Sequence, residues 1–376
     1  MLVLLVAFAV SIGSTLLVVY WTKRHGRSVL DHDVSGPQKF HTHPVPRVGG
    51  IGIVCALVAA TAALWFLDES FGRTATLLLV CGAPAFAAGL IEDLTKSVSP
   101  AKRLLATAAS AALSGWLLDA VLTRADIPGI DAVLAVPAGA VILTVFAVAG
   151  IANAVNIIDG FNGLASMCVV LMLISLAYVA FQVDDNLVAL LALAGIGAVL
   201  GFFIWNFPAS LIFLGDGGAY FLGFYVAEVA ILLLVRNPRV SPLFALLICF
   251  YPVFETLFSI YRRRFLRAVP PGLPDGIHLH SLIYRRVVRW AVGTRSAKAL
   301  TRRNSMTSPF LWLLCMLSVL PAMLWWEHSA VLAGFLVLFG VTYVGLYWRI
   351  VRFRSPRWMR ALATRPTELT EIEPRR

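Results

Sequence analysis

Long apolar runs separated by short polar breaks dominate this chain. Runs of about 20 residues, the length a helix needs to cross a bilayer, cover 2–22, 49–67, 74–91, 103–122, 133–153, 163–182, 187–206, 217–235, 242–261, 309–326 and 330–348. The pattern predicts an all-α integral membrane protein with about eleven transmembrane helices. The first run, "MLVLLVAFAVSIGSTLLVVYW", has no basic region before it. It therefore reads as a retained span rather than a cleaved signal peptide. No break is long and polar enough to form a separate soluble domain. Residues 1–350 are expected to form one polytopic membrane domain, with the loop 262–308 inside it, and 351–376 a basic tail.

Composition strengthens this reading. Of the 376 residues, 59% are hydrophobic and 14% charged, and mean hydropathy is +0.83. That balance excludes an ordinary soluble enzyme. Charge then adds an orientation. The breaks 23–48, 92–103 and 262–308 and the C-terminal end carry 27 of the 31 Lys and Arg residues. The other breaks hold only Arg73, Arg124, Arg236 and Arg239. By the positive-inside rule the basic side is cytoplasmic, which predicts an N-terminus outside and a C-terminus inside. The net charge of +11 then belongs to one membrane face, where it suits anionic lipids or anionic substrates rather than nucleic acid. The five cysteines stand singly in apolar runs, without metal-ligand spacing, and read as buried hydrophobes.

Unusual polar clusters all fall on the basic side. "NAVNIIDGFNGLA" (153–165) sets Asn153, Asn156, Asp159 and Asn162 three residues apart at the end of an apolar run. On one continuous helix they would drift around half the circumference. The helix is therefore expected to stop near Gly160, with Asn162 capping the next span. "FLGDGG" places Asp216 between glycines at a span start, where backbone amides can hold phosphate and a carboxylate its cation. "GLIEDL" sets Glu92 beside Asp93 at a span end, pointing about 100° apart. "PDGIHLHSLIYRR" supplies His278 and His280, and "PQKFHTHPVPRVGG" supplies Lys39, His41 and Arg47. The histidines have no third soft ligand nearby, so phosphate binding is expected of them rather than zinc. Carboxylates and amides for a hard cation, with cationic side chains for phosphate, are the inventory of phosphoryl transfer at a membrane surface.

These blocks, in this order, resemble the polyprenyl-phosphate N-acetylhexosamine-1-phosphate transferases (glycosyltransferase family 4). The likeness is greatest to the bacterial undecaprenyl-phosphate N-acetylglucosaminyl branch, and extends more distantly to phospho-N-acetylmuramoyl-pentapeptide transferases. It implies a bacterial inner-membrane enzyme with a cytoplasmic active site. A UDP-N-acetylhexosamine would give its sugar 1-phosphate to undecaprenyl phosphate, releasing UMP, as the first lipid-linked step of a cell-surface polysaccharide such as O-antigen. By resemblance Asp216 and Asn156 hold Mg²⁺, with Mn²⁺ able to substitute, and Asn162 sits near the uracil. Asp93 would position the attacking phosphate, with Glu92, Asp159, His278 and His280 completing the catalytic set. Asn153, Lys39, His41 and Arg47 would bind substrate. A homodimer is the expected assembly. Three positions depart from the family pattern: Glu92 stands for Asp, Ser281 for a further His, and Gln38 for Arg. The alternative class is a secondary transporter, since ionisable residues in membrane proteins often mark substrate pathways. Transporters usually place these near the midplane and show inverted repeats, neither of which is seen here.

Overall fold

The computed structural model describes residues 1–25, 30–31, 45–266, 277–288 and 297–352. Lys39 and His41 lie outside the described residues. The first half comprises α1 (Leu2–His25), a two-residue antiparallel pair β1 (Leu30–Asp31) and β2 (Val45–Pro46), α2 (Gly50–Leu67), α3 (Glu69–Thr95), α4 (Pro100–Leu117), α5 (Pro128–Leu134) and α6 (Pro137–Ile158). Then follow α7 (Leu164–Gln182), α8 (Asn186–Asn206), α9 (Gly215–Arg236), α10 (Pro242–Ile248), α11 (Phe250–Tyr261), α12 (Leu279–Leu282), α13 (Ala297–Leu324) and α14 (Ser329–Val351).

Among the described residues nine helices are long and apolar enough to cross a membrane: α1, α2, α3, α6, α7, α8, α9, α13 and α14. The stretch from α10 through α11 counts as a tenth if taken as one broken span, bent by 71°. At the expected span 103–122 stands α4, begun by Pro100 after a Ser99 cap; Lys102 and Arg103 in its first turn make it more polar than the rest. The expected span 133–153 moves on by four residues at its start and five at its end, to 137–158. A short helix takes 128–134, and Pro137, whose missing N–H is no loss in a first turn, restarts the chain.

The spans are not equivalent. In α9, 94% of the most apolar window is buried, against 17% in α14. Helices α2, α3, α4, α6, α7, α8 and α10 all pack on α9, so it forms the axis of the bundle. The outward faces carry bare apolar side chains, with Phe66, Trp116 and Phe146 among the most exposed. Such a surface is at home in hydrocarbon, where helices satisfy their own backbone groups.

Glycine sets how closely the axis is approached. A Cβ on Gly89 of α3 would lie 2.5 Å from the backbone nitrogen of Gly217 in α9. Without side chains there the two backbones touch, and this contact brings the end of α3 to the start of α9.

Candidate active site

The N-terminus of α9 is the centre of the site. Like any helix start, it leaves backbone N–H groups without intrahelical partners. Asp93, reaching across from α3, supplies them: its two carboxylate oxygens accept from the N–H of Asp216 at 3.0 Å and of Gly217 at 2.9 Å. Asp93 is buried. Gly215 precedes this pair at φ +76°, and any Cβ there would run into the Arg47 carbonyl and the Asp93 carboxylate. Only glycine fits that turn.

Asp216 itself sits in the first turn of α9. One oxygen pairs with Arg103 of α4; the other lies 3.5 Å from the Arg47 guanidinium and accepts from Asn156 Nδ2 at 3.0 Å. Arg47 also lies 3.8 Å from Asp93. Asn153, one turn deeper on α6, accepts from the Tyr220 hydroxyl at 3.1 Å, and Arg103 lies over the Tyr220 ring.

Beside Asp216 opens a pocket of about 320 Å³, within the range of small-ligand sites. Arg47, Asn156, Asp159, Asn162, Asp216, His278 and His280 all line it, with Asn206, Phe213 and Asn304. Residues from five separated loops and span ends therefore meet in one place. The Asp159 side chain has no hydrogen-bond partner among the described residues. Protein surrounds it on every side but the pocket, and burial pushes its carboxyl up to about 7; Arg47 works against that rise and Asp93 with it.

Three expected members, Asn153, Glu92 and Asp93, are not in the pocket wall; Asn153 lies one turn deeper, against Tyr220. Glu92 turns the other way, its carboxylate accepting the Val98 N–H at 2.7 Å in the α3–α4 loop. Asp93 stands behind the wall, committed to the α9 amides. Asn162 needs a correction in one respect. The cap position of α7 is Gly163, not Asn162, and no side chain caps it. Asn162 instead ties three segments together. Its Oδ1 accepts from Ser210 at 2.9 Å and its Nδ2 donates to Ser305 at 3.1 Å, while its backbone N–H donates to Asn304 and its carbonyl accepts from Ser308.

Several residues here were missed by sequence reasoning. Arg103 had been counted only as topological charge. Asn206 accepts the Gly163 N–H at 2.6 Å and donates to the Ile212 carbonyl at 2.8 Å, so it fixes both loops that flank the pocket. Glu255, a lone acid in an apolar span, meets His278; that isolation was the available signal.

Could these residues hold a magnesium ion? No cluster of three or more His, Cys, Asp or Glu side chains with metal-site geometry occurs among the described residues. Magnesium, however, commonly takes one or two carboxylates, waters and substrate phosphates rather than a full protein cage. Asp216, with Asn156 against it and Asp159 in the same pocket, is such a partial oxygen set. The residues fit.

Comparison with known proteins now adds to the geometry. A model of "Glycosyl transferase family 4" matches residues 75–234. Over 283 residues, 74% of this chain and 77% of the relative, the sequence is 30% identical to a probable undecaprenyl-phosphate N-acetylglucosaminyl 1-phosphate transferase of Bacillus subtilis. The chain belongs to glycosyl transferase family 4. A phospho-N-acetylmuramoyl-pentapeptide-transferase of Bacillus cytotoxicus is 31% identical over 241 residues, 61% of this chain and 73% of the relative. The matched region runs from α3 to α9 and so contains Asp93, Asn156, Asp159 and Asp216, but not Arg47 or the histidine pair.

Proposed function

We propose that this family member transfers an N-acetylhexosamine 1-phosphate from a UDP-sugar to undecaprenyl phosphate, giving the lipid-linked diphospho-sugar and UMP. The observation that carries the reading is the convergence at the α9 N-terminus: one acid, Asp216, flanked by two arginines, faces a histidine pair across one pocket. The names of the relatives set the substrate classes. The site lies at the basic ends of the spans, which supports a cytoplasmic active site and an N-out, C-in chain. With α4 and the broken span counted, eleven crossings fit the helices.

In this reaction an oxygen of the lipid phosphate attacks the sugar-bearing phosphorus, and the bond to the UMP oxygen breaks. A phosphate monoester has its second pKa near ~6, so the nucleophile is largely dianionic at neutral pH and needs no strong base. The barrier is the approach of two anions, which cationic groups lower. Arg47 and Arg103 reach the place where the diphosphate would lie beside Asp216, and His278 and His280 close it from the opposite side. Asp93 acts one step back, by fixing the helix start that carries Asp216. Mg²⁺ bound by Asp216 and Asn156 would neutralise diphosphate charge and orient it. Incubating the purified chain with undecaprenyl phosphate, Mg²⁺ and a panel of UDP-N-acetylhexosamines, and measuring UMP, tests this. UMP that depends on the lipid is expected; none with any sugar would overturn it.

A further inference from the structure

The histidine pair reaches the pocket on a carboxylate that no step above uses. Glu255 stands in α11 and is almost wholly buried, at 1% exposure. An acid there is costly unless its oxygens are hydrogen-bonded. Both are. Oε1 accepts from His278 Nδ1 at 2.9 Å and from the Leu279 N–H at 3.2 Å, and Oε2 accepts from the Tyr343 hydroxyl of α14 at 2.5 Å. One carboxylate thus joins the broken span, the histidine segment and the last helix.

This contact decides how His278 meets a ligand. With Nδ1–H donated to Glu255, the plane of the ring is set, and Nε2 is the other nitrogen of a residue that lines the pocket. His280 follows, because its ring stacks on His278 with centroids 5.1 Å apart and planes 15° apart. It packs edge-on to Phe161, and Gly160 leaves room for its Nε2, 3.3 Å from where a Cβ would stand. Arg262 steadies the entry to the segment, donating to the Ile277 carbonyl at 2.6 Å and to the Tyr347 hydroxyl at 2.8 Å.

We infer that Glu255, held by Tyr343, is a positioning residue: it selects the tautomer and orientation of His278 and so aims the histidine pair at the phosphates of the bound ligand. The inference rests on the phosphate-binding reading above. It explains a carboxylate whose three partners include both the histidine ring and the first amide of its helix.

A double-mutant cycle in the full chain tests it, read in turnover of UDP-N-acetylglucosamine with undecaprenyl phosphate and, separately, in affinity for UDP. Glu255→Leu is expected to lower kcat by about 10²-fold, the cost of a misplacement near 1 Å, with KM changed less. In a His278→Ala background the same substitution should add less than about threefold, since the group it aims is gone. Glu255→Gln, which keeps an acceptor for Nδ1–H, should recover much of the rate. Where Glu255→Leu does not fold, the cycle is run with Tyr343→Phe, expected to cost activity only while His278 is present. An equal fractional loss with and without His278 would overturn the inference and leave Glu255 as a strut between α11 and α14. A wild-type chain that turns over no nucleotide sugar would count against the proposed function instead, and the cycle is then decided by UDP affinity alone.

Discussion

Two aspartates, one at each end of the bundle, show what separates scaffold from site. Asp185 caps α8 at the end remote from the pocket. Burial raises its carboxyl, but Arg236, Asn237 and the Val188 N–H more than reverse that, and it is held below the usual carboxylate range. The Arg236 Nε lies at 2.7 Å and the Asn237 amide at 2.8 Å. Asp126 at the same end is likewise spent, taking bonds from Arg124, Ser241 and Ser329 across three loops. Asp159 at the pocket end is pushed in the same direction by burial but has no donors of its own, and rises to about 7. Asp185 is satisfied by its neighbours, whereas Asp159 is left for a ligand to satisfy.

The largest expected effect breaks the pocket end. Asp216→Asn keeps shape but removes the charge opposing Arg47 and Arg103. Turnover should fall on the order of 10²–10⁴-fold, the scale of several kcal/mol in a transition state. EDTA should stop UMP release by the wild-type chain, and Mg²⁺ should restore it. Full turnover in chelator would remove the metal from the reading.

Asp93 comes next, because it works through α9. Asp93→Ala strips two amides of their acceptor, and about 10²-fold in rate should go with the displaced Asp216. Loss of a helix cap should also cost about 1 kcal/mol of stability. Thermal unfolding alongside UMP release checks both. If stability falls and the rate does not, Asp93 is only a cap.

Asp159 and Asp185 then sharpen the comparison directly, with opposite signs. The Asp159 carboxyl titrates higher folded than unfolded, so ionising it costs stability progressively from about pH 4 to its own value near 7. Asp159→Asn should therefore unfold at a higher temperature than wild type at pH 8 while losing turnover. Asp185 has a lowered folded value, so its contribution is complete above about pH 4 and is lost as pH falls through that lowered value. Asp185→Asn should unfold earlier at neutral pH and keep its rate per folded molecule. Melting curves at pH 5 and pH 8 decide the pair. A stability gain at Asp185 or a loss at Asp159 would reverse the assignment.

Much of this was legible in the sequence, for physical reasons. A 20-residue apolar run has few fates, so the spans could be read; their ends could not, because Pro137 and Gly215 reset the helix starts. Polar residues at span ends marked Asn156, Asp159 and Asp216 as unusual, and all three line the pocket. What was not legible was direction. Nothing in "IEDL" tells which acid faces the axis; the Gly89–Gly217 contact decides it by admitting Asp93. Asn162 belongs to the same motif, yet its amide bonds to Ser305 and Ser210 from segments remote in the chain.

The smallest expected effect concerns Glu92, adjacent to Asp93 in the chain. At this position the chain has the longer of the two acids. The extra methylene lets the carboxylate reach past the end of α3 to the Val98 N–H at 2.7 Å, where it closes the turn leading into α4. Lys96, in the left-handed conformation at the helix C-cap, lies inside that turn. The work done is hydrogen-bond acceptance, so the charge is dispensable and the reach is not. Glu92→Gln, which still offers an oxygen at the same distance, should hold activity within about twofold, because a half-buried neutral acceptor keeps most of a bond worth about 1 kcal/mol. Glu92→Asp keeps the charge but falls short of Val98. It should lose on the order of 1 kcal/mol and loosen the loop that delivers Arg103 to Asp216. Rates for the two variants separate charge from reach. Should Glu92→Gln collapse while Glu92→Asp stays active, the carboxylate charge is what matters, and Glu92 belongs with Asp216 rather than with Asp185.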